Sequence, residues 1–106
     1  MNNIFNNYSM CLNEGFYMLS GSVVFDNMVD IYNCSINYFD NLVIIKINLS
    51  KLKIIDSSIF ILILSWIKKA NADNKDIYFY DLPKFILDLG KIYDFDLILS
   101  FFMKKN

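Results

Sequence analysis

The sequence predicts a single α/β domain, a mixed β-sheet with helices packed largely on one side. Three observations carry this. Short β-branched or aromatic runs alternate with helical periodicity in the order β-β-α-β-α-β-α-α, and such alternation builds a sheet covered by helices. Residues 42–47 (L-V-I-I-K-I) are almost unbroken apolar, as in a strand inside a sheet rather than at its edge. The chain has 106 residues, enough for one core and short of the length at which chains divide.

In chain order, residues 1–7 are polar and expected to fray, leaving the domain at 8–103. Segments 8–12 and 16–19 flank Asn13-Glu14-Gly15, expected as a three-residue hairpin turn with glycine supplying a positive φ. Gly21-Ser22 interrupts the second arm and Val23-Val24 continues it past a bend. Asp26 is expected to cap a helix that turns Met28, Val29, Tyr32, Ile36 and Phe39 inward. After the strand at 42–47 a short loop leads to a helix over 56–70. Asn71-Ala72-Asp73-Asn74 forms a polar turn, and 77–80 reads as a strand. Asp81-Leu82-Pro83 opens a third helix, since proline is well tolerated in a first turn. Its apolar stripe is Phe85, Ile86, Leu89 and Ile92. A last helix spans 96–103 and ends in Lys104-Lys105.

The helix at 56–70 is the centre of the functional reading. Asp56 is the expected N-cap, because its carboxylate can accept from the free N–H groups of the first turn and suits the positive end of the helix. Ser57 and Ser58 then sit at a strand-to-helix corner. One face (Ile59, Leu62, Ile63, Trp66, Ala70) has the spacing that packs on a sheet. The other holds Phe60, Ile61, Leu64 and Ile67, and a two-layer domain offers no second layer to cover them. That face is expected to belong to a partner.

Composition narrows the function. The chain is 56% hydrophobic and 20% charged, so it is not disordered. Residues 1–45 contain no lysine and carry −4, whereas 46–106 carry ten lysines against seven aspartates. With no arginine and no cationic surface overall, nucleic acid is excluded as the main partner. Histidine is absent, and Cys11 and Cys34 have no metal-ligand spacing, so no metal or other cofactor is expected. The absence of a general base, a phosphate-binding glycine loop and a triad speaks against catalysis. The longest apolar run, 59–64, is too short to span a bilayer. With no basic segment ahead of Lys46, no secretory signal is expected. The paired lysines read as a solvated rim.

At Asp56-Ser57-Ser58 followed by the apolar helix, the chain resembles the STAS domain, the fold of anti-sigma factor antagonists and transporter-associated modules. Further similar pieces are Leu19-Ser20-Gly21, Asn48-Leu49-Ser50, Trp66-Ile67-Lys68-Lys69-Ala70, Asp81-Leu82-Pro83, segment 89–93 and segment 97–99. Within that fold, W-I-K-K-A, the L-P before the third helix and the tyrosine in L-G-K-I-Y are most similar to MlaB-type subunits of the bacterial Mla phospholipid ABC transporter. The resemblance implies a non-catalytic cytoplasmic subunit that docks on the transporter's ATPase, peripheral to the inner membrane, and supports its assembly and activity. It places Ser57 at the docking surface. Two positions depart from the pattern: Ile59 stands where the family has glycine, and Asn48 where it has aspartate.

The expected partner-binding residues are therefore Asp56, Ser57, Ser58, Ile59, Phe60, Ile61 and Leu64, with help from the helix over 83–92. Ser57 has three readings: partner contact, phosphate acceptor, or a plain first-turn residue. The alternative function is an anti-sigma factor antagonist switched by phosphorylation of Ser57. A third, structural alternative is a self-associating module that hides the same apolar helix in a homodimer when the partner is absent.

Overall fold

A computed structural model describes residues 7–104. The five strands and four helices are β1 (Tyr8–Asn13), β2 (Phe16–Val23), α1 (Met28–Phe39), β3 (Ile44–Ile55), α2 (Ser58–Ala72), β4 (Asp76–Tyr80), α3 (Lys84–Ile92), α4 (Asp96–Phe102) and β5 (Met103–Lys104). The strands form one sheet in chain order, β1-β2-β3-β4-β5. The first pair is antiparallel and the others parallel. The expected order thus gains a two-residue final strand, too short to leave a periodic signal. The expectations for residues 1–6 and for Lys105 lie outside the described residues. Among the described residues no helix is long and apolar enough to cross a membrane.

The hairpin turn is tighter than expected. Asn13 pairs directly with Phe16, leaving a two-residue loop of Glu14 (φ 52°) and Gly15 (φ 84°). Positive φ at both central positions is the type I′ pattern, whose twist suits flanking strands. At Gly21 (φ 94°) the pairing of β2 with β3 shifts register, and a Cβ there would lie 2.5 Å from the Asn7 carbonyl oxygen. Ser22 supports the same approach by donating to that oxygen from both its N–H and its hydroxyl, each at 2.8 Å.

Tyr17, Leu19 and Val23 of β2, Ile45, Ile47, Leu49 and Leu52 of β3, and Ile77 and Phe79 of β4 are buried under the helices. Strand alternation puts Phe16, Met18, Lys46, Asn48, Tyr78 and Tyr80 on the opposite face, where the Phe16 and Tyr80 rings meet edge-on at 4.9 Å. β3 is far longer than the expected 42–47 and consumes the expected loop. Its second half, Lys51-Leu52-Lys53, keeps lysines exposed around a buried leucine, the period-2 signal of a half-solvated strand.

Trp66 of α2 is the centre of the core, packed on Phe79 and edge-on to Phe39 and Tyr17. Its indole N–H donates to the Ser35 hydroxyl at 2.7 Å, and Ser35 donates to the Tyr32 carbonyl. This corrects the face expected for α1. The inward residues are Ile31, Ser35 and Phe39, with Met28, Tyr32 and Ile36 partly buried, while Val29 is exposed. A polar residue at the middle of the stripe hid its register. Nor does Asp26 cap α1. Asn27 occupies that place, its side chain accepting from the Val24 N–H and donating to the Ser22 carbonyl. At the other end Lys75 donates to the Phe39 and Asp40 carbonyls, satisfying free acceptors at a helix C-terminus. On α3 the expected stripe also narrows: Ile86 and Gly90 are buried and Leu89 partly so, whereas Phe85 and Ile92 face solvent.

Candidate functional site

The site grows from the place where β3 hands over to α2. Only Asp56 and Ser57 separate Ile55, the last residue of the strand, from Ser58, the first of the helix. Asp56 is anchored by its own N–H to the Val23 carbonyl. One carboxylate oxygen accepts the Ser58 N–H at 2.9 Å and the Ser58 hydroxyl at 2.5 Å. The other accepts the Phe25 N–H at 3.0 Å. The helix starts at Ser58 and its N-cap position falls to Ser57, whose side chain makes no cap bond. Asp56, one residue earlier than that, supplies the hydrogen bonds expected of a cap and also ties the end of β2 to the start of α2. Partial burial pushes its carboxyl pKa up. The Ser58 hydroxyl and the two backbone N–H donors outweigh this and hold it below the usual carboxylate value.

The two serines separate sharply. Ser58 is 2% exposed, its hydroxyl committed to Asp56, whereas Ser57 is exposed. Only Ser57 presents a free-standing hydroxyl to a macromolecule or a kinase. One turn on, Ile61 is 49% exposed, on the same helix face by its i+4 spacing. Ile61 lines a shallow groove of about 120 Å³ between α1 and α2, with Met28, Val29, Tyr32, Leu62 and Ser65. Val29 is 61% exposed, and Phe25, held at the corner through Asp56, is 70% exposed. Val29 and Ile61 thus share an exposed apolar groove, and Phe25 adds a further exposed apolar side chain at the Asp56-Ser57 corner. The sequence reading missed Phe25 and Val29. Phe25 carried a signal, an aromatic residue in a loop beside Asp26, while Val29 was assigned to the wrong side of α1.

Phe60 is corrected. It was expected on the free face, yet it is 5% exposed, packed against Phe95 at 4.8 Å and Tyr93 at 6.1 Å between ring centroids. The α3–α4 pair supplies the covering layer that the sequence reading thought missing. Gly90 permits it, since a Cβ there would press on Leu99 and approach the Phe60 ring. Ile59 is fully buried too, Leu64 and Ile67 are partly covered, and so the free face of α2 narrows to Ser57 and Ile61 with the rim of Leu64. The full burial of Ile59 accounts for a large side chain where the family has glycine: it points into the core, not at the corner. Asn48 has a local reason as well. Its amide donates to the Asp81 carboxylate at 2.9 Å while its oxygen accepts from Ser50. An aspartate at that position would set two carboxylates against each other.

A second, larger groove of about 670 Å³ lies at the other end of α2, lined by Ile67, Lys68, Lys75, Tyr78, Phe101 and Phe102 among others. Among the described residues no three cysteine, aspartate or glutamate side chains converge as a metal site.

Comparison with solved structures places this architecture. The chain superposes on the anti-sigma factor antagonist SpoIIAA in its unphosphorylated form with a TM-score of 0.68, over 94% of this chain and 88% of that one, at 13% identity. It superposes on the Bacillus cell fate determinant SpoIIAA in the phosphorylated form with a TM-score of 0.65, over 94% and 91%, at 12% identity. The chain has the STAS fold. No family model and no curated protein sequence matches it. In this fold the Asp56-Ser57-Ser58 corner lies at the carboxyl ends of the parallel strands β2 and β3, where open α/β sheets commonly place their binding sites.

Proposed function

We propose that this STAS domain is a non-catalytic docking subunit whose contact surface is the α2 corner, with Ser57 at its head and Phe25, Val29 and Ile61 as its apolar side chains. Its partner is the cytoplasmic ATPase of a phospholipid-transporting ABC complex, whose assembled state it favours, so that it lies peripheral to the inner membrane. The observation that carries the docking reading is the set of exposed apolar side chains near an exposed hydroxyl, on a corner otherwise fixed by the Asp56 hydrogen bonds. Exposed apolar patches of this kind mark interaction surfaces. The choice of partner rests on the W-I-K-K-A, L-P and L-G-K-I-Y resemblances. The test is recovery of partners on the tagged chain, with Ser57→Asp and Ile61→Asp as variants. An ABC ATPase held by the wild type and released by both variants supports the reading. Undiminished capture by both removes the corner from the interface.

One observation favours a second reading, an anti-sigma factor antagonist regulated by phosphorylation. Ser57 is accessible while Ser58 is not, and both phosphorylated and unphosphorylated forms occur for SpoIIAA, which shares the fold. A phosphate on Ser57 would sit at the positive end of α2, where the Ser58, Ile59 and Phe60 N–H groups already have acceptors and the Asp56 carboxylate opposes it. Intact mass after incubation with ATP and cell extract decides this: one added phosphate, lost in Ser57→Ala, is the expected outcome, and its persistent absence excludes the switch.

A further inference from the structure

The two edges of the sheet are guarded very differently. β5 is only two residues long and bears Lys104, and shortness and lysine are both ways of blunting an edge. β1 is six residues, Y-S-M-C-L-N, pairs with β2 without interruption, and contains neither a charge nor a proline. Among the described residues nothing pairs with its outer side.

The pairing shows which backbone groups are free there. Opposed residues in an antiparallel pair alternate between hydrogen-bonded and non-hydrogen-bonded. The two-residue turn makes Asn13 and Phe16 the closing hydrogen-bonded pair. The Ser22 N–H bond to the Asn7 carbonyl keeps the same phase at the far end. Tyr8, Met10 and Leu12 therefore turn their N–H and C=O groups outward. Three donors and three acceptors on alternate residues of this edge form a template for another strand.

Charge decides what fits. From residue 7 to residue 45 the chain has Glu14, Asp26, Asp30 and Asp40 and no basic residue. Asp30 accepts the Tyr8 hydroxyl, which fixes a carboxylate over β1 on the helix side. Lys46, over the Phe16 ring, lies on the open side. A second copy would bring a like-charged edge against this one. We propose that the free side of β1 receives an extended peptide segment carrying lysine or arginine, added as a further strand with its basic side chains toward Asp30. This site is distinct from the α2 corner and does not depend on the partner assigned there.

The probe is a dye-labelled peptide of alternating valine and lysine, about seven residues long to match the edge, titrated against the full chain. Controls carry glutamate for lysine, or N-methyl groups on alternate backbone nitrogens. The valine–lysine peptide is expected to bind, to shift the amide resonances of Tyr8, Met10 and Leu12, and to weaken about tenfold or more as salt rises from low to physiological strength. The glutamate and N-methyl peptides are expected not to bind. Leu12→Pro removes an outward N–H and leaves the β2 ladder whole, so it should abolish binding. Asp30→Asn keeps an acceptor for Tyr8 and should weaken binding several-fold while flattening the salt dependence. If Leu12→Pro does not fold, Asp30→Asn and the N-methyl control still decide. Equal binding by the glutamate or N-methyl peptide, or unmoved amides at saturating peptide, overturns the proposal. So does a chain already dimeric through β1, made monomeric by Leu12→Pro.

Discussion

Asp56 and Ser35 are the two residues whose replacement should be felt most out of proportion to their size. Asp56→Ala removes an acceptor for three donors at a helix start and is expected to cost about 1–2 kcal/mol in urea unfolding. The pH dependence has a definite sign. A carboxyl held below its ordinary pKa in the folded state stabilises that state above the unfolded-chain value, about pH 4, and loses the contribution as pH falls through the folded value. The stability advantage of the wild type over Asp56→Asn should therefore be present at about pH 7 and shrink on acidification below about pH 4. Ser35→Ala strips the buried Trp66 N–H of its acceptor, with an expected loss of about 1–3 kcal/mol by the same measurement. The capping residue was legible because aspartate followed by two serines before an apolar run has few other uses. Ser35 was not, because a serine on a helix reads as solvent-facing until its partner is known.

At the scale of the element, α2 separates two neighbours that look alike in sequence. Phe60→Ala should destabilise by about 3–5 kcal/mol, since it opens a cavity beneath Phe95 and Tyr93. Ile61→Asp, half in solvent, should unfold at nearly the wild-type urea midpoint and act on partner capture instead. If Ile61→Asp unfolds the chain, the apolar groove is part of the core. Gly21→Ala tests β2: with a positive φ and a backbone oxygen where the methyl would go, it should lower stability by roughly 1–3 kcal/mol. Strand and helix types followed from periodicity for every element except β5. The misreadings share a cause, in that β3 ran on under its K-L-K alternation, α1 was rotated, and Phe60 was left bare. Each depended on what another element supplied in space, and nothing local encodes that the α3–α4 pair folds over the first turn of α2.

For the whole molecule, a mixed sheet covered by helices carries two distinct candidate surfaces that meet at the first turn of α1: the α2 corner, with Val29, and the β1 edge, with Asp30. The fold class was readable because alternation of strands and helices permits few arrangements. The extent of the docking surface was not, since it depends on which apolar residues the chain covers by itself.

The single tryptophan has a practical consequence. Trp66 is fully buried among Tyr17, Phe39 and Phe79, so its emission should be that of an indole shielded from water and shift to the red only on unfolding. A partner settling on the corner around Ser57 should leave that colour unchanged. Intrinsic fluorescence is thus a meter of melting for the variants named above other than Ser35→Ala, which alters the indole's own hydrogen bond, and an association assay must carry its own dye.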